Sequence, residues 1–78
     1  MTSDEVARLI RAGLPGAEVR VHSDDNTHFA VRVVADSFTG KGRLARHQLV
    51  YGTLGELMGR ELHALSIEAL TPEESARS

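Results

Sequence analysis

The sequence predicts an α+β two-layer sandwich built in the order helix, strand, strand, helix, strand. Three observations carry this. Apolar residues recur at spacings of three and four near the N-terminus and again through the middle of the chain, which is the period of a helix with one buried side. Three other stretches alternate apolar and polar residues with a period of two, as half-buried strands do. The central helix lies between the second and third of these stretches. A strand-helix-strand crossover within one sheet is almost always parallel and right-handed, so those two strands should run the same way. A three-stranded mixed sheet with its helices on one face follows.

The first helix is capped by Thr2 or Ser3, and Thr2-Ser3-Asp4-Glu5 has the spacing of a capping box with acids in the first turn. Val6, Leu9, Ile10 and Leu14 form its buried stripe; Gly13 reads as its stop, and Leu14-Pro15-Gly16 turns the chain away. From Ala17 to His22, Ala17, Val19 and Val21 share one face while Glu18, Arg20 and His22 take the other. The polar run 23–27 is a turn, and His28 to Ala35 resumes the alternation with Phe29, Val31 and Val33 inward, making a β-hairpin. Phe38 anchors the next turn, where Gly40 and Gly42 free the backbone around Lys41.

The main helix is expected from Arg43 or Leu44 to Met58, ended by Gly59. Its apolar stripe would be His47, Val50, Tyr51, Leu54, Leu57 and Met58, with Arg46, Thr53 and Glu56 on the other side. Leu62 to Leu70 forms the third strand, with Leu65 and Ile67 facing one way and Ser66 and Glu68 the other. Thr71-Pro72-Glu73-Glu74 can make one capped helical turn. Residues 1–74 therefore form a single domain, and 75–78 a frayed tail.

Composition excludes several functions. The 78 residues contain no cysteine, so the chain supplies no disulfide, thiolate ligand or cysteine nucleophile. Nine basic against eleven acidic residues give a net charge of −2, a poor footprint for a dedicated nucleic-acid binder. The start lacks the pattern of a secretory signal, and no apolar run approaches membrane-spanning length, so a soluble cytoplasmic protein is expected. Asp24 and Asp25 read as turn formers, and Glu18, Glu56 and Glu68 as solvated faces. No paired carboxylates or nucleophilic triad emerge, and an enzyme is not expected.

The histidines are the candidates for chemistry. His28 opens the second strand and His63 the third; if those strands are parallel neighbours, their backbones lie roughly 5 Å apart at one rim of the sheet. Two imidazoles leave a tetrahedral site half-filled, and two thiolates from another molecule would complete it, as in iron-sulfur centres of mixed His and Cys ligation. The plainer reading of both residues is polar strand ends. Parity sets them apart, since His28 opposes Phe29 whereas His63 alternates in step with Leu65. His22 is a weaker candidate, and His47, on the apolar side of the main helix, reads first as a partly buried histidine bonded to backbone. Lys41, Arg43 and Arg46 form the dense basic patch, suited to phosphate at a helix start or to carboxylates of a protein or glutathione. Their turn is neither a Walker loop nor the Gly-x-x-Gly clamp of a KH domain.

Taken together, Phe38-x-Gly40-Lys41, Arg46-His47-x-x-Val50-Tyr51, Leu54, His63-Ala64-Leu65-x-Ile67 and Thr71-Pro72-Glu73-Glu74 resemble the BolA family, and Asn26-Thr27-His28-Phe29 is similar to its IbaG-type branch. The resemblance spans nearly the whole chain and implies a class II KH-like sandwich. It also implies a non-enzymatic adaptor that associates with a monothiol glutaredoxin in iron-sulfur cluster trafficking or iron regulation. In such pairs a [2Fe-2S] cluster is shared: the glutaredoxin cysteine and glutathione give sulfur ligands, and none is bound by the isolated chain. His63, in the His-Ala-Leu motif, and His28, in the loop after the first strand, are the implied metal ligands, with His22 as the alternative second ligand. Lys41, Arg43, Arg46 and His47 are the implied contacts for a partner or nucleic acid. The rival function is a DNA-binding transcription regulator using this basic turn. Alone, the chain is expected as a monomer or weak homodimer.

Overall fold

The protein is described from a computed structural model, covering residues 1–58, 60 and 64–77. Helix α1 spans Ser3–Gly13. Its start is fixed by a reciprocal cap: the Glu5 amide donates to Thr2 Oγ1 at 3.2 Å, and the Thr2 amide donates to Glu5 Oε1 at 3.0 Å. These two bonds satisfy donors that a helix N-terminus otherwise leaves unpaired. Val6 and Ile10 are fully buried, with Ala7 beside them and Leu14 at the exit. The helix ends at Gly13 as expected, with Leu14 as the C-cap, and Gly13 has a second role, because a Cβ there would sit 2.5 Å from Thr53 Cγ2. The missing side chain lets α1 close on the helix that follows.

Strands β1 (Glu18–His22) and β2 (His28–Val34) pair antiparallel, with Val19 opposite Val33 and Val21 opposite Val31. Strand β3 (Ala64–Leu70) runs parallel to β2, with Phe29 opposite Leu65 and Val31 opposite Ile67. The sheet order is β1-β2-β3, so the neighbouring parallel pair expected from the crossover is present. One face, carrying Val19, Phe29, Val31 and Val33, joins Val6, Ile10, Val50 and Leu54 of the helices in a single core. On the other face Arg20, His22, His28, Ala30, Ser66 and Glu68 are exposed. After β2 a single 3-10 turn, Asp36–Phe38, drops Phe38 into the core with no exposed surface, and Gly40 at φ +78° completes the turn.

Helix α2 spans Arg43–Leu54, shorter than the run to Met58 expected from the apolar spacing. Gly55, at φ +55° and ψ −130°, takes the chain out of the helix, and a 3-10 turn over Gly55–Leu57 follows. Leu57 and Met58 still pack against the core, so the periodicity marked burial while the glycine set the helix end. Gly59, Leu62 and His63, to which a helix stop and the start of the third strand were assigned, lie outside the described residues.

The inward side of α2 also differs. Val50 and Leu54 are buried as expected, but Tyr51 is 39% exposed and the Arg46 side chain is only 15% exposed. Arg46, Val50 and Thr53, at spacings of four and three, share the covered side. Helix α3 spans Pro72–Arg77, so the turn expected at 71–74 continues to Arg77. It begins with a second reciprocal cap, in which the Glu74 amide donates to Thr71 Oγ1 and the Thr71 amide to Glu74 Oε1. No helix among the described residues is long and apolar enough to cross a membrane.

Candidate metal centre

The hairpin loop between β1 and β2 is built by short polar side chains bonding to their own backbone. Ser23 Oγ donates to the His28 carbonyl at 2.7 Å and accepts from the Asn26 amide at 2.9 Å. Asn26 takes the left-handed conformation, φ +58°, which asparagine tolerates better than most residues. Asp25 sits at the hub. Its Oδ1 accepts from the amides of Thr27 and His28, each at 2.9 Å, and its Oδ2 lies 2.8 Å from His28 Nδ1. The His28 amide and ring, and then the Thr27 amide, hold the Asp25 carboxyl far below the usual carboxylate range.

These bonds fix the imidazole that opens β2. His28 remains 66% exposed and lines a groove of about 390 Å³ with His22, Asp24, Phe29 and Leu65 among its walls. His22 reaches the same groove from the end of β1, with its Nε2 3.1 Å from Asp24 Oδ1. The two loop histidines are thus each paired with an acid, but through different ring nitrogens.

The β2–β3 register places His28 opposite Ala64, the residue that follows His63 in the sequence. His63 lies outside the described residues. Among the described residues no group of three or more His, Cys, Asp or Glu is placed to hold a metal ion. The described residues at this rim bring two imidazoles and two carboxylates, His22 with Asp24 and His28 with Asp25.

The basic residues around the start of the main helix divide. Arg46 is drawn inward: its Nε donates to the Lys41 carbonyl at 2.8 Å, and its Nη1 to the Ala69 carbonyl at 3.1 Å and to Glu74 Oε1 at 2.6 Å. It ties the turn before α2 to the end of β3 and the start of α3. Lys41 and Arg43 stay exposed, and His47 is half-buried on α2. Reading the sequence for chemistry passed over Asp25 and Glu74. The signals were present, as an Asp three residues before a strand-opening His and as a Thr-x-x-Glu capping box.

A family model described as "BolA-like protein" matches residues 15–74. The acid stress protein IbaG of Escherichia coli K12 is 40% identical over 78 residues, covering 99% of this chain and 92% of that protein. Chloroplastic BOLA1 of Arabidopsis thaliana is 46% identical over 59 residues, where 76% of this chain aligns with 37% of the longer relative. Among solved structures, the BolA homologue of Coxiella burnetii superposes with a TM-score of 0.89 at 36% identity, covering 99% of each chain.

Proposed function

Because this chain belongs to the BolA family, we propose that it is a non-enzymatic adaptor that binds a monothiol glutaredoxin and shares a [2Fe-2S] cluster with it, in iron-sulfur cluster trafficking or iron regulation. The cluster is cargo. The glutaredoxin cysteine and glutathione supply its sulfur ligands, and His28 and His63 supply imidazole. The observation that carries this reading is the state of His28: an exposed imidazole at a strand start, its Nδ1 already bonded to Asp25, in a groove beside the start of the parallel neighbour strand. A histidine whose second nitrogen is held by a carboxylate is the usual arrangement of a metal-ligating imidazole. The lack of cysteine in the chain agrees with a partner as the source of sulfur. Lys41 and Arg43 stay exposed at the start of α2, at the end of the sheet opposite His28, so they are left to meet carboxylates of the partner protein away from the cluster.

The reading is tested by visible circular dichroism of the reconstituted cluster with a monothiol glutaredoxin. Adding this chain should change the spectrum, and His63→Ala or His28→Ala should abolish or alter that change. An unaltered spectrum and complex with His63→Ala would overturn the ligand assignment. The rival, a DNA-binding regulator, has less support. Arg46 would have to leave Glu74 and two carbonyls to reach a phosphate, and the net charge is −2. It predicts a salt-dependent fluorescence anisotropy that falls when Lys41 and Arg43 are neutralised. No binding at low salt would remove it.

A further inference from the structure

Asp25 bonds one residue twice. Its Oδ1 accepts the His28 backbone amide at 2.9 Å while its Oδ2 faces the Nδ1 of the same residue's ring at 2.8 Å. A carboxylate has no proton to donate, so the ring nitrogen facing it must carry the hydrogen. A neutral imidazole has one N–H and one lone pair, and with the hydrogen on Nδ1 the lone pair is on Nε2. His22 is the opposite case, since its Nε2 is the nitrogen that meets Asp24. The two histidines of the groove therefore offer different atoms to a ligand.

From this arrangement we infer that Asp25 is a positioning residue that locks His28 in the Nδ1–H tautomer, so that Nε2 is the atom it presents to metal. The inference rests on the reading of His28 as a cluster ligand and adds to it the donor atom and the residue that selects it. Backbone and ring are tied to one acid, so the side chain meets a metal with its orientation already set. At 66% exposure, packing alone covers only a minor part of the ring.

Asp25→Asn separates shape from chemistry. The asparagine oxygen can still accept the amides of Thr27 and His28, which keeps the loop, but an amide N–H now stands where Oδ2 stood. His28 Nδ1 must then accept, the hydrogen moves to Nε2, and the lone pair a metal would use is lost. Nitrogen-15 spectra of the metal-free full chain, recorded at a pH where the ring is neutral, should show Nδ1–H for His28 in the wild type and Nε2–H in Asp25→Asn. Backbone amide dispersion should stay the same, and Asp24→Asn should leave His28 as it was. With glutaredoxin and cluster, Asp25→Asn should weaken the shared complex by about 10- to 100-fold. Wild-type His28 found as Nε2–H, or an unchanged tautomer in a folded Asp25→Asn chain, would overturn the inference, and the wild-type measurement decides even if the variant fails to fold. A cluster spectrum indifferent to His28→Ala would instead remove the ligand reading and with it the use of Nε2 for metal, while the metal-free spectra still report what Asp25 does to the ring.

Discussion

Gly13 shows how a single residue is constrained by what lies across from it. On propensity alone, replacing a glycine within a helix by alanine stabilises by about 1 kcal/mol. Here the new Cβ would meet Thr53 Cγ2 at 2.5 Å and Thr53 Cβ at 2.8 Å, distances at which something must move. Forcing a methyl group into a packed contact costs about 1–3 kcal/mol. Gly13→Ala is expected to lower the urea midpoint, and Thr53→Ser, which removes Cγ2, to recover part of the loss. A raised midpoint would show that α1 and α2 separate at little cost. The site has the same character at this scale. His28 is conspicuous in the sequence as a strand-opening histidine after a polar turn. Asp25 is not, because Ser-Asp-Asp-Asn-Thr reads as turn chemistry whichever acid faces the ring.

The elements were legible wherever periodicity was enough, and less so where a single backbone angle or a long side chain decided the outcome. The alternation over β1, β2 and β3 gave the inward faces correctly, and the crossover rule gave the parallel pair. Helix α2 was over-extended because Leu57 and Met58 continue the apolar spacing on a chain that has already left the helix at Gly55. That residue tests the account. At φ +55° and ψ −130° it occupies a region closed to residues with a Cβ, so Gly55→Ala should destabilise by about 1–3 kcal/mol although open space surrounds the site. Thermal unfolding followed by circular dichroism would measure it. An unchanged Tm would mean that the helix can run on toward Met58 after all. The apolar spacing puts Arg46 on the side away from the stripe, whereas its fork reaches three partners in different directions. Arg46→Lys keeps the charge and loses that geometry, so it should cost stability where a surface exchange would not.

Across the whole molecule, the contact between Arg46 and Glu74 joins the turn before α2, the end of β3 and α3, which makes stability depend on the ionisation of one acid. The Arg46 guanidinium, and then the Thr71 amide, pull the Glu74 carboxyl down from an ordinary value of 4.5 to about 2. Between those values the unfolded chain binds a proton that the folded chain refuses, so lowering the pH favours unfolding. The contribution is therefore complete above pH 4.5 and is lost as the pH falls through about 2. The Thr2 cap on Glu5 and the loop bonds to Asp25 depress two further carboxyls and act in the same direction. Urea midpoints measured across this range should fall with acid for the wild type. Glu74→Gln should begin lower at neutral pH and fall less steeply, with the two curves converging near pH 2. Parallel curves would show that the ion pair adds nothing beyond the hydrogen bonds a neutral amide can make.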